Sequence, residues 1–290
     1  MEAPEPPEGW MGKCHALHVG MAQVPEEAAW PCFVDADARH HPECLARALE
    51  QAQATNTDLL SLVPHLEGRS FWERLVQPSV AALIAMFNKP SAVNDPTRPE
   101  AFANGQFIFV RAAVHRELGD HAAVAGKVLE DVELAGVYKR AGKRIHLAIG
   151  RELFSTRMYS GLASLVNGWT KNLFLLVQAR LARALAALGL SLVLSIWPMV
   201  FGLWALVALL LGAQPWLDWG LWALLGVYGM VLLFQTGLRA LNGWYPAYAL
   251  LAPLANAVVA VILVRSAWRH RRGLPVNWKG RQVQDGKDAP

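Results

Sequence analysis

Two carboxylates spaced by one residue, Asp35 and Asp37, are the first feature of the chain whose residue types suggest chemistry. Asp35 ends an apolar run at residues 30–35 that is typical of a short buried strand, and Asp37 lies just beyond it. In an open α/β sheet, ligands bind beyond the carboxyl ends of strands, and paired carboxylates there can hold Mg²⁺ or Mn²⁺ together with substrate phosphate oxygens. A solvated turn is the alternative interpretation, and the spacing alone leaves both open.

A second acidic group, Glu130, Asp131 and Glu133, is interleaved with apolar residues where a helix is expected to begin. Acids in the first turn of a helix complement its dipole, which is a sufficient structural reason for their presence. A carboxylate held in a cleft can instead act as a general base on an acceptor hydroxyl. Periodicity does not choose between the two roles.

Basic and aromatic residues precede the most apolar part of the chain. Arg157 and Lys171 are cations that can neutralise a diphosphate leaving group or contact lipid headgroups. Trp169 is either a stacking surface or an interfacial anchor.

Alternating strands and helices are expected to position these residues, and this alternation predicts an α/β fold with a largely parallel sheet. We expect Leu45, Leu49 and Ala52 to lie along one face of the first helix. The predicted strands are residues 30–35, 58–63, 106–110 and 144–149, and the predicted helices are residues 41–55, 112–118 and 129–141. Residues 70–88 form an apolar segment interrupted by Pro78, which is either a core helix or a helix on the membrane surface near an apolar substrate.

Charge is distributed very unevenly along the 290 residues, of which 54% are hydrophobic and 17% charged. Residues 173–264 hold only four charged side chains, Arg180, Arg183, Asp218 and Arg239. Three stretches there, residues 184–211, 216–234 and 246–264, approach or exceed the length needed to cross a bilayer. We therefore expect three regions: a globular domain at 1–172, a transmembrane region at 173–264 and a basic tail at 265–290.

The net charge of +4 comes from the apolar region and the tail, which leaves residues 1–172 slightly acidic. This distribution fits anionic lipid headgroups and argues against nucleic-acid binding. Three cysteines without a disulfide-framework spacing suit a reducing compartment, and no secretory signal peptide is recognisable at the N-terminus. Arginines flank both the first and the last stretch, so the charge rule leaves the number of crossings open.

The order and spacing of six short motifs resemble those of membrane-bound family 2 glycosyltransferases. The nearest similarity is to bacterial enzymes associated with hopanoid and carotenoid glycosylation, and a more distant one is to ceramide glucosyltransferase. The motifs are Gly9-Trp10-Met11-Gly12-Lys13, Asp35-Ala36-Asp37, Asn104-Gly105-Gln106, Glu130-Asp131, Gly168-Trp169-Thr170-Lys171-Asn172 and Trp278-Lys279-Gly280-Arg281.

The resemblance implies a GT-A fold and a role for each matching residue. It implies that Asp35 and Asp37 hold a metal on the sugar-nucleotide diphosphate and that Asp131 is the catalytic base. It further implies that Lys13 lies near the nucleotide and that Gly105 lines the acceptor side. The remaining candidate donor- or acceptor-binding residues are Glu130, Arg157, Trp169 and Lys171. The family has a Gln/Arg-x-x-Arg-Trp element, of which this chain keeps only Trp169, and we expect Lys171 to supply the missing positive charge.

We therefore expect an inverting glycosyltransferase with three components: a partial GT-A domain, about three transmembrane helices and a basic tail. It would use Mg²⁺ or Mn²⁺ and move a sugar from a nucleotide-sugar donor to a hopanoid, carotenoid, sphingolipid-like or glycan acceptor at the cytoplasmic face of the cell membrane. Relatives in such a family begin with a nucleotide-binding strand and loop before the motif that holds Lys13, so we expect that part to be missing here. The alternative is a catalytically inactive membrane scaffold that retains the transferase fold.

Overall fold

The computed structural model describes residues 3–212, 219–274, 276–278 and 281–283. The chain divides into two compact units. The first unit contains residues 1–67, 85–158 and 273–290, and the second contains residues 68–84 and 159–272.

Helices and strands alternate through the first half of the chain, and helices dominate the second. The helices are α1 (Gly12–Met21), α2 (Cys44–Ala54), α3 (Phe71–Phe87), α4 (Pro90–Val93), α5 (Ala112–Glu117), α6 (Glu130–Arg140), α7 (Leu162–Leu176), α8 (Leu181–Ser191), α9 (Trp197–Leu210), α10 (Trp219–Leu241) and α11 (Ala252–Arg271). The strands are β1 (Cys32–Val34), β2 (Ala38–His40), β3 (Leu59–Val63), β4 (His65–Leu66), β5 (Phe107–Val110), β6 (Ile145–Ile149), β7 (Phe154–Thr156), β8 (Val276–Trp278) and β9 (Arg281–Val283).

The main sheet of the first unit has the strand order β1-β5-β3-β6. Strand β5 is antiparallel to both β1 and β3, whereas β3 and β6 are parallel from Leu59↔Ile145 to Val63↔Ile149. The prediction of a largely parallel sheet is therefore wrong. Hydrophobic patterning locates strands, but it carries no information on the direction in which they pair.

Helix α2 packs on this sheet through a face that includes two of the three residues predicted to share one. Cys44, Ala48 and Ala52 are buried against a core that includes Leu60 and Phe107, and Leu49 packs against the same core. Leu45 is 54% exposed, so it lies outside this contact. Small residues occupy the contact because they allow the helix to lie close to the large aromatic side chains of β5.

A second, smaller sheet with the order β2-β7-β4 lies in the same unit. It was not predicted, because its strands are only two or three residues long. Strand β2 begins directly after a turn in which the N–H of Ala38 donates to the carbonyl of Asp35 at 3.1 Å. The small sheet therefore fixes the path of the chain on the C-terminal side of Asp35 and Asp37.

In the second unit, helix α3 contains Pro78 and has a buried face formed by Leu75, Val76 and Val80. This burial favours the core-helix interpretation of residues 70–88. Proline has no N–H, so it leaves the carbonyl four residues earlier without its usual helical donor. Arg239 of α10 supplies a donor in its place: its Nη1 lies 3.2 Å from the Arg74 carbonyl oxygen, and its Nη2 lies 3.3 Å from the next carbonyl oxygen, that of Leu75. The Arg239 side chain is 1% exposed, so this contact is internal.

Two apolar helical stretches of the second unit, Trp222–Leu241 and Pro246–Arg271, are long enough to cross a membrane. A third crossing is possible if α7 and α8, which meet at 119°, form one broken span. The predicted first span, residues 184–211, is helical from α8 to α9 with a π-helical turn at Leu192–Ile196, just before Pro198. The start of the predicted second span, residues 216–218, lies outside the described residues. Helix α7 belongs to the second unit, although its first part was predicted within the globular domain.

Candidate functional site

The ammonium group of Lys13 joins two carboxylates that are far apart in the sequence. Its Nζ lies 2.8 Å from Asp35 Oδ1 and 2.7 Å from Glu130 Oε1. Lys13 stands in the first turn of α1, Asp35 follows β1, and Glu130 begins α6. The start of α1 is held in place by the N–H of Met11, which donates to the Ala125 carbonyl at 2.7 Å. Three separate elements of the first unit therefore meet at one cation.

Asp131 and Gly105 complete this cluster. The N–H of Gly105 donates to Asp131 Oδ2 at 2.7 Å, and the N–H of Val132 donates to Asp131 Oδ1 at 2.9 Å. A Cβ atom at residue 105 would lie 3.0 Å from both Asp131 Oδ2 and Lys13 Nζ. Glycine at this position therefore allows the backbone to approach the carboxylate and the ammonium group together.

The loop that carries Gly105 is anchored to the main sheet. Asn104 accepts and donates through its backbone: its N–H donates to Ser61 Oγ at 2.7 Å, and its carbonyl accepts from the same hydroxyl at 3.3 Å. Ser61 lies in the middle of β3 and is fully buried. The polar residue inside an otherwise apolar strand thus positions the loop next to Asp131.

The pKa values of Asp131 and Lys13 are both raised, which favours the neutral form of the aspartate and the charged form of the lysine. Burial, followed by the charge of Glu130, raises the pKa of Asp131 to about 6, against the opposing effect of Lys13. Burial lowers the pKa of Lys13, but the charges of Glu130, Asp35 and Asp131 outweigh it and hold that pKa above its ordinary value. Lys13 is therefore a permanent cation, and Asp131 is a carboxylate that exchanges a proton near neutral pH. Those are the properties of a general base beside a fixed positive charge.

Asp37 lies at the edge of the cluster. Its Oδ1 accepts a long hydrogen bond of 3.5 Å from Thr156 Oγ1, and Thr156 pairs with Ala38 in the small sheet. Arg157 follows Thr156 directly, which places its backbone on the same side as Asp37.

Within the described residues, no group of three or more His, Cys, Asp or Glu side chains could hold a metal ion. The donor chemistry of Asp35 and Asp37 nevertheless suits Mg²⁺ or Mn²⁺. These ions are commonly held by one or two carboxylates, with substrate phosphates and water completing the coordination. Asp37 is exposed and Asp35 is partly exposed, so both are open to such a ligand. One oxygen of Asp35 is already paired with Lys13, which leaves the second oxygen as the one that a metal would take.

Trp169 and Lys171 belong to the second unit, whereas the residues described above belong to the first. Trp169 is 5% exposed and its ring packs edge-on against Tyr159 at 5.7 Å between centroids. The Tyr159 ring also occupies the space where Gly168 would carry a Cβ atom. Trp169 is thus a packing residue in this structure, and neither a stacking surface nor an interfacial anchor describes its surroundings.

Sequence reasoning did not single out a buried polar chain in the first unit. His115 lies between Tyr138 and His121: its Nδ1 is 3.0 Å from Tyr138 Oη and its Nε2 is 3.3 Å from His121 Nδ1. Burial lowers the pKa of His115 to about 3 and that of His121 to about 4, so both rings are neutral near pH 7. His121 packs edge-on against Phe33 of β1, at 4.6 Å. No spacing signal marks this contact, because it arises only when α5 and α6 pack beside β1.

A scan against protein-family models and a search of curated proteins give no match for this chain. The features that point to a function are therefore the order of the sequence motifs and the geometry of one cluster, formed by Lys13, Asp35, Gly105, Glu130 and Asp131.

Proposed function

We propose that this protein is an inverting glycosyltransferase with a GT-A-type catalytic domain, which moves a sugar from a nucleotide-sugar donor to a lipid or glycan acceptor at the membrane. One observation supports the proposal most directly. Five residues that the motif resemblance assigns to donor, metal, acceptor and base roles lie in one cluster, although they come from four distant parts of the chain.

In the proposed reaction, Asp131 accepts the proton of the acceptor hydroxyl as that oxygen attacks the anomeric carbon of the sugar. The new carbon–oxygen bond forms while the bond to the nucleotide diphosphate breaks, and a single displacement of this kind inverts the anomeric configuration. The pKa of Asp131, about 6, suits a base that must be ionised before the reaction and must hold a proton afterwards. The hydrogen bond from the Gly105 N–H keeps the Asp131 carboxylate oriented.

Lys13 supplies positive charge on the donor side of the same cluster. The Lys13 side chain is 41% exposed, so a diphosphate can approach it while Asp35 and Glu130 hold it in place. Asp35 and Asp37 are the proposed ligands of Mg²⁺ or Mn²⁺, which would neutralise charge on the leaving diphosphate. Arg157 is the proposed additional diphosphate contact, because it directly follows Thr156, which pairs with Ala38 next to Asp37.

The two or three apolar helices that could cross a membrane support a membrane-associated acceptor. A lipid hydroxyl, such as that of a hopanoid, carotenoid or sphingolipid-like molecule, would be presented at the bilayer surface. We propose that the first unit faces the cytoplasm, where nucleotide sugars are made.

The test is sugar transfer by the 290-residue chain in lipid nanodiscs. Radiolabelled UDP-glucose, UDP-N-acetylglucosamine and GDP-mannose would be supplied with Mn²⁺ or Mg²⁺ and a membrane lipid extract, and label would be counted in the organic phase. Asp131→Asn should lower transfer at least about a hundredfold, as expected for a lost general base, and leave donor affinity unchanged. Glu133→Gln is the matched control, because it removes a carboxylate from the same turn of α6. Equal turnover in Asp131→Asn and Glu133→Gln would refute the base assignment.

The inactive scaffold is the second candidate, and one observation favours it. Lys13, Asp35 and Glu130 satisfy one another as ion pairs at 2.7–2.8 Å, as a purely structural cluster would. Manganese-dependent binding of a nucleotide sugar that is lost in Asp35→Asn would contradict this candidate. Full retention of thermal stability in Lys13→Met would contradict it as well.

A further inference from the structure

The second unit contains an apolar groove between α8 and α11 that the proposed transfer reaction does not use. The groove has a volume of about 390 Å³. Two alanines, Ala184 of α8 and Ala267 of α11, are buried in its lining at 3% and 9% exposure. Their small side chains leave the space between the two helices unfilled.

The rim of the groove is apolar and largely open. Leu181 and Leu185 of α8 are 45% and 57% exposed, and Val264 and Trp268 of α11 are 55% and 47% exposed. Large apolar side chains that are both contiguous and exposed mark a surface that contacts another apolar molecule. Helix α11 belongs to a stretch that is long and apolar enough to cross a membrane, so the molecule available along it is a lipid acyl chain.

The polar end of the groove is basic. Arg271 and Arg272 line it, and the Arg272 guanidinium carbon lies 4.8 Å from the centre of the Trp268 ring. Tryptophan is enriched at the level of lipid headgroups, and a guanidinium group binds phosphate through two parallel hydrogen bonds. Among the described residues that line the groove, none is acidic. Along α11 the lining therefore changes from apolar at Val264 to cationic at Arg271, a distance of about 10 Å at 1.5 Å per residue.

We propose that this groove binds one anionic phospholipid, with an acyl chain between α8 and α11 and the headgroup phosphate on Arg271 and Arg272. The groove is complementary to such a lipid, because its apolar part can hold the acyl chain and its basic end can bind the anionic headgroup. Each arginine near a negatively charged lipid headgroup is worth about a fivefold gain in binding, so two predict roughly a thirtyfold preference for an anionic over a zwitterionic lipid. This site is independent of sugar transfer.

The experiment is native mass spectrometry of the full chain in detergent, with equimolar dioleoyl-phosphatidylglycerol and dioleoyl-phosphatidylcholine. The unsubstituted chain should retain one phosphatidylglycerol with roughly thirtyfold preference. The double variant Arg271→Gln/Arg272→Gln should lose most of that preference. Arg265→Gln removes a charge from an exposed residue of the same helix outside the groove, and it should keep the preference.

A second pair of variants tests the apolar channel. Val264→Asn places a polar amide in the groove and should lower retention of both lipids, whereas Val261→Asn makes the same change at an exposed position of α11 outside it. An equal loss in Arg265→Gln and the double variant, or in Val261→Asn and Val264→Asn, would overturn the proposal. It would also be overturned by complete competition from glycerophosphoglycerol, which has no acyl chains, or by a dimer in the lipid-free preparation that dissociates only when the groove is substituted.

Discussion

The ionisation of Asp131 near neutral pH is the property on which the proposed chemistry depends most. A pKa of about 6 leaves the carboxyl about nine-tenths ionised at pH 7 and about one-tenth ionised at pH 5. Glu130 raises this pKa and Lys13 lowers it, so removing each neighbour should move the midpoint in opposite directions. A charge within about 4–6 Å shifts a carboxyl pKa by about 1–3 units. Lys13→Met should therefore raise the midpoint to between about 7 and 9, and Glu130→Gln should lower it to between about 3 and 5.

The Gly105 amide provides a direct reporter, because its N–H donates to Asp131 Oδ2 at 2.7 Å. The full chain, labelled with ¹⁵N-glycine and held in detergent micelles, would be titrated between about pH 2 and pH 10 by two-dimensional NMR, a range that brackets all the expected midpoints. Loss of one signal in Gly105→Ala assigns the resonance. Glu133→Gln is the matched control, since the neighbouring charges that shift the Asp131 pKa are those of Glu130 and Lys13.

Three results would refute this reasoning: a wild-type midpoint near the ordinary value for aspartate, a shift in the same direction for Lys13→Met and Glu130→Gln, or a Glu133→Gln shift as large as that of Glu130→Gln. The sign for stability is also determined. The pKa of Asp131 is raised in the folded state, so folding takes up a proton between about pH 4 and pH 6 and stability falls as the pH rises through that window. The wild type should therefore lose stability relative to Asp131→Asn as the pH rises from about 4 to about 6, which melting temperatures measured across that range would show.

Two further predictions concern packing. Gly105→Ala places a methyl group 3.0 Å from Asp131 Oδ2 and Lys13 Nζ. This substitution should lower the free energy of unfolding by about 1–3 kcal/mol and lower sugar transfer at least about tenfold. Unchanged thermal stability together with full transfer would contradict the close approach of the Gly105 loop to these two side chains. Arg239→Met leaves two α3 carbonyls without their donors, at about 1–3 kcal/mol each, whereas Pro78→Ala restores an N–H for one of them. We expect a double-mutant cycle on the free energy of unfolding, measured in mixed micelles, to show coupling between the two sites. Arg239→Met should cost about 1 kcal/mol less in the Pro78→Ala background than in the wild type. Strictly additive effects would argue against the contact between Arg239 and the α3 carbonyls.

Local patterning predicted several elements of the first unit closely. The strand expected at residues 58–63 is β3 (Leu59–Val63), and the helix expected at residues 129–141 is α6 (Glu130–Arg140). Both depend on short-range features: a run of apolar residues in one case, and acids in the first turn of a helix in the other. The strands of the small sheet were missed because two or three residues are too few to show a period.

The sequence by itself determined the residue types of the candidate site, the uneven distribution of charge, and the presence of helices apolar enough for a membrane. Only the tertiary structure decided that β5 pairs antiparallel with its neighbours and that Lys13 lies between Asp35 and Glu130. It also decided that Arg239, an isolated charge in an apolar helix, donates to the Arg74 carbonyl that Pro78 leaves without its helical donor, and to the Leu75 carbonyl beside it. Periodicity reflects contacts between residues a few positions apart, whereas strand direction, ion pairs and the pKa of Asp131 depend on contacts between residues many positions apart. Those contacts exist only once the chain has folded.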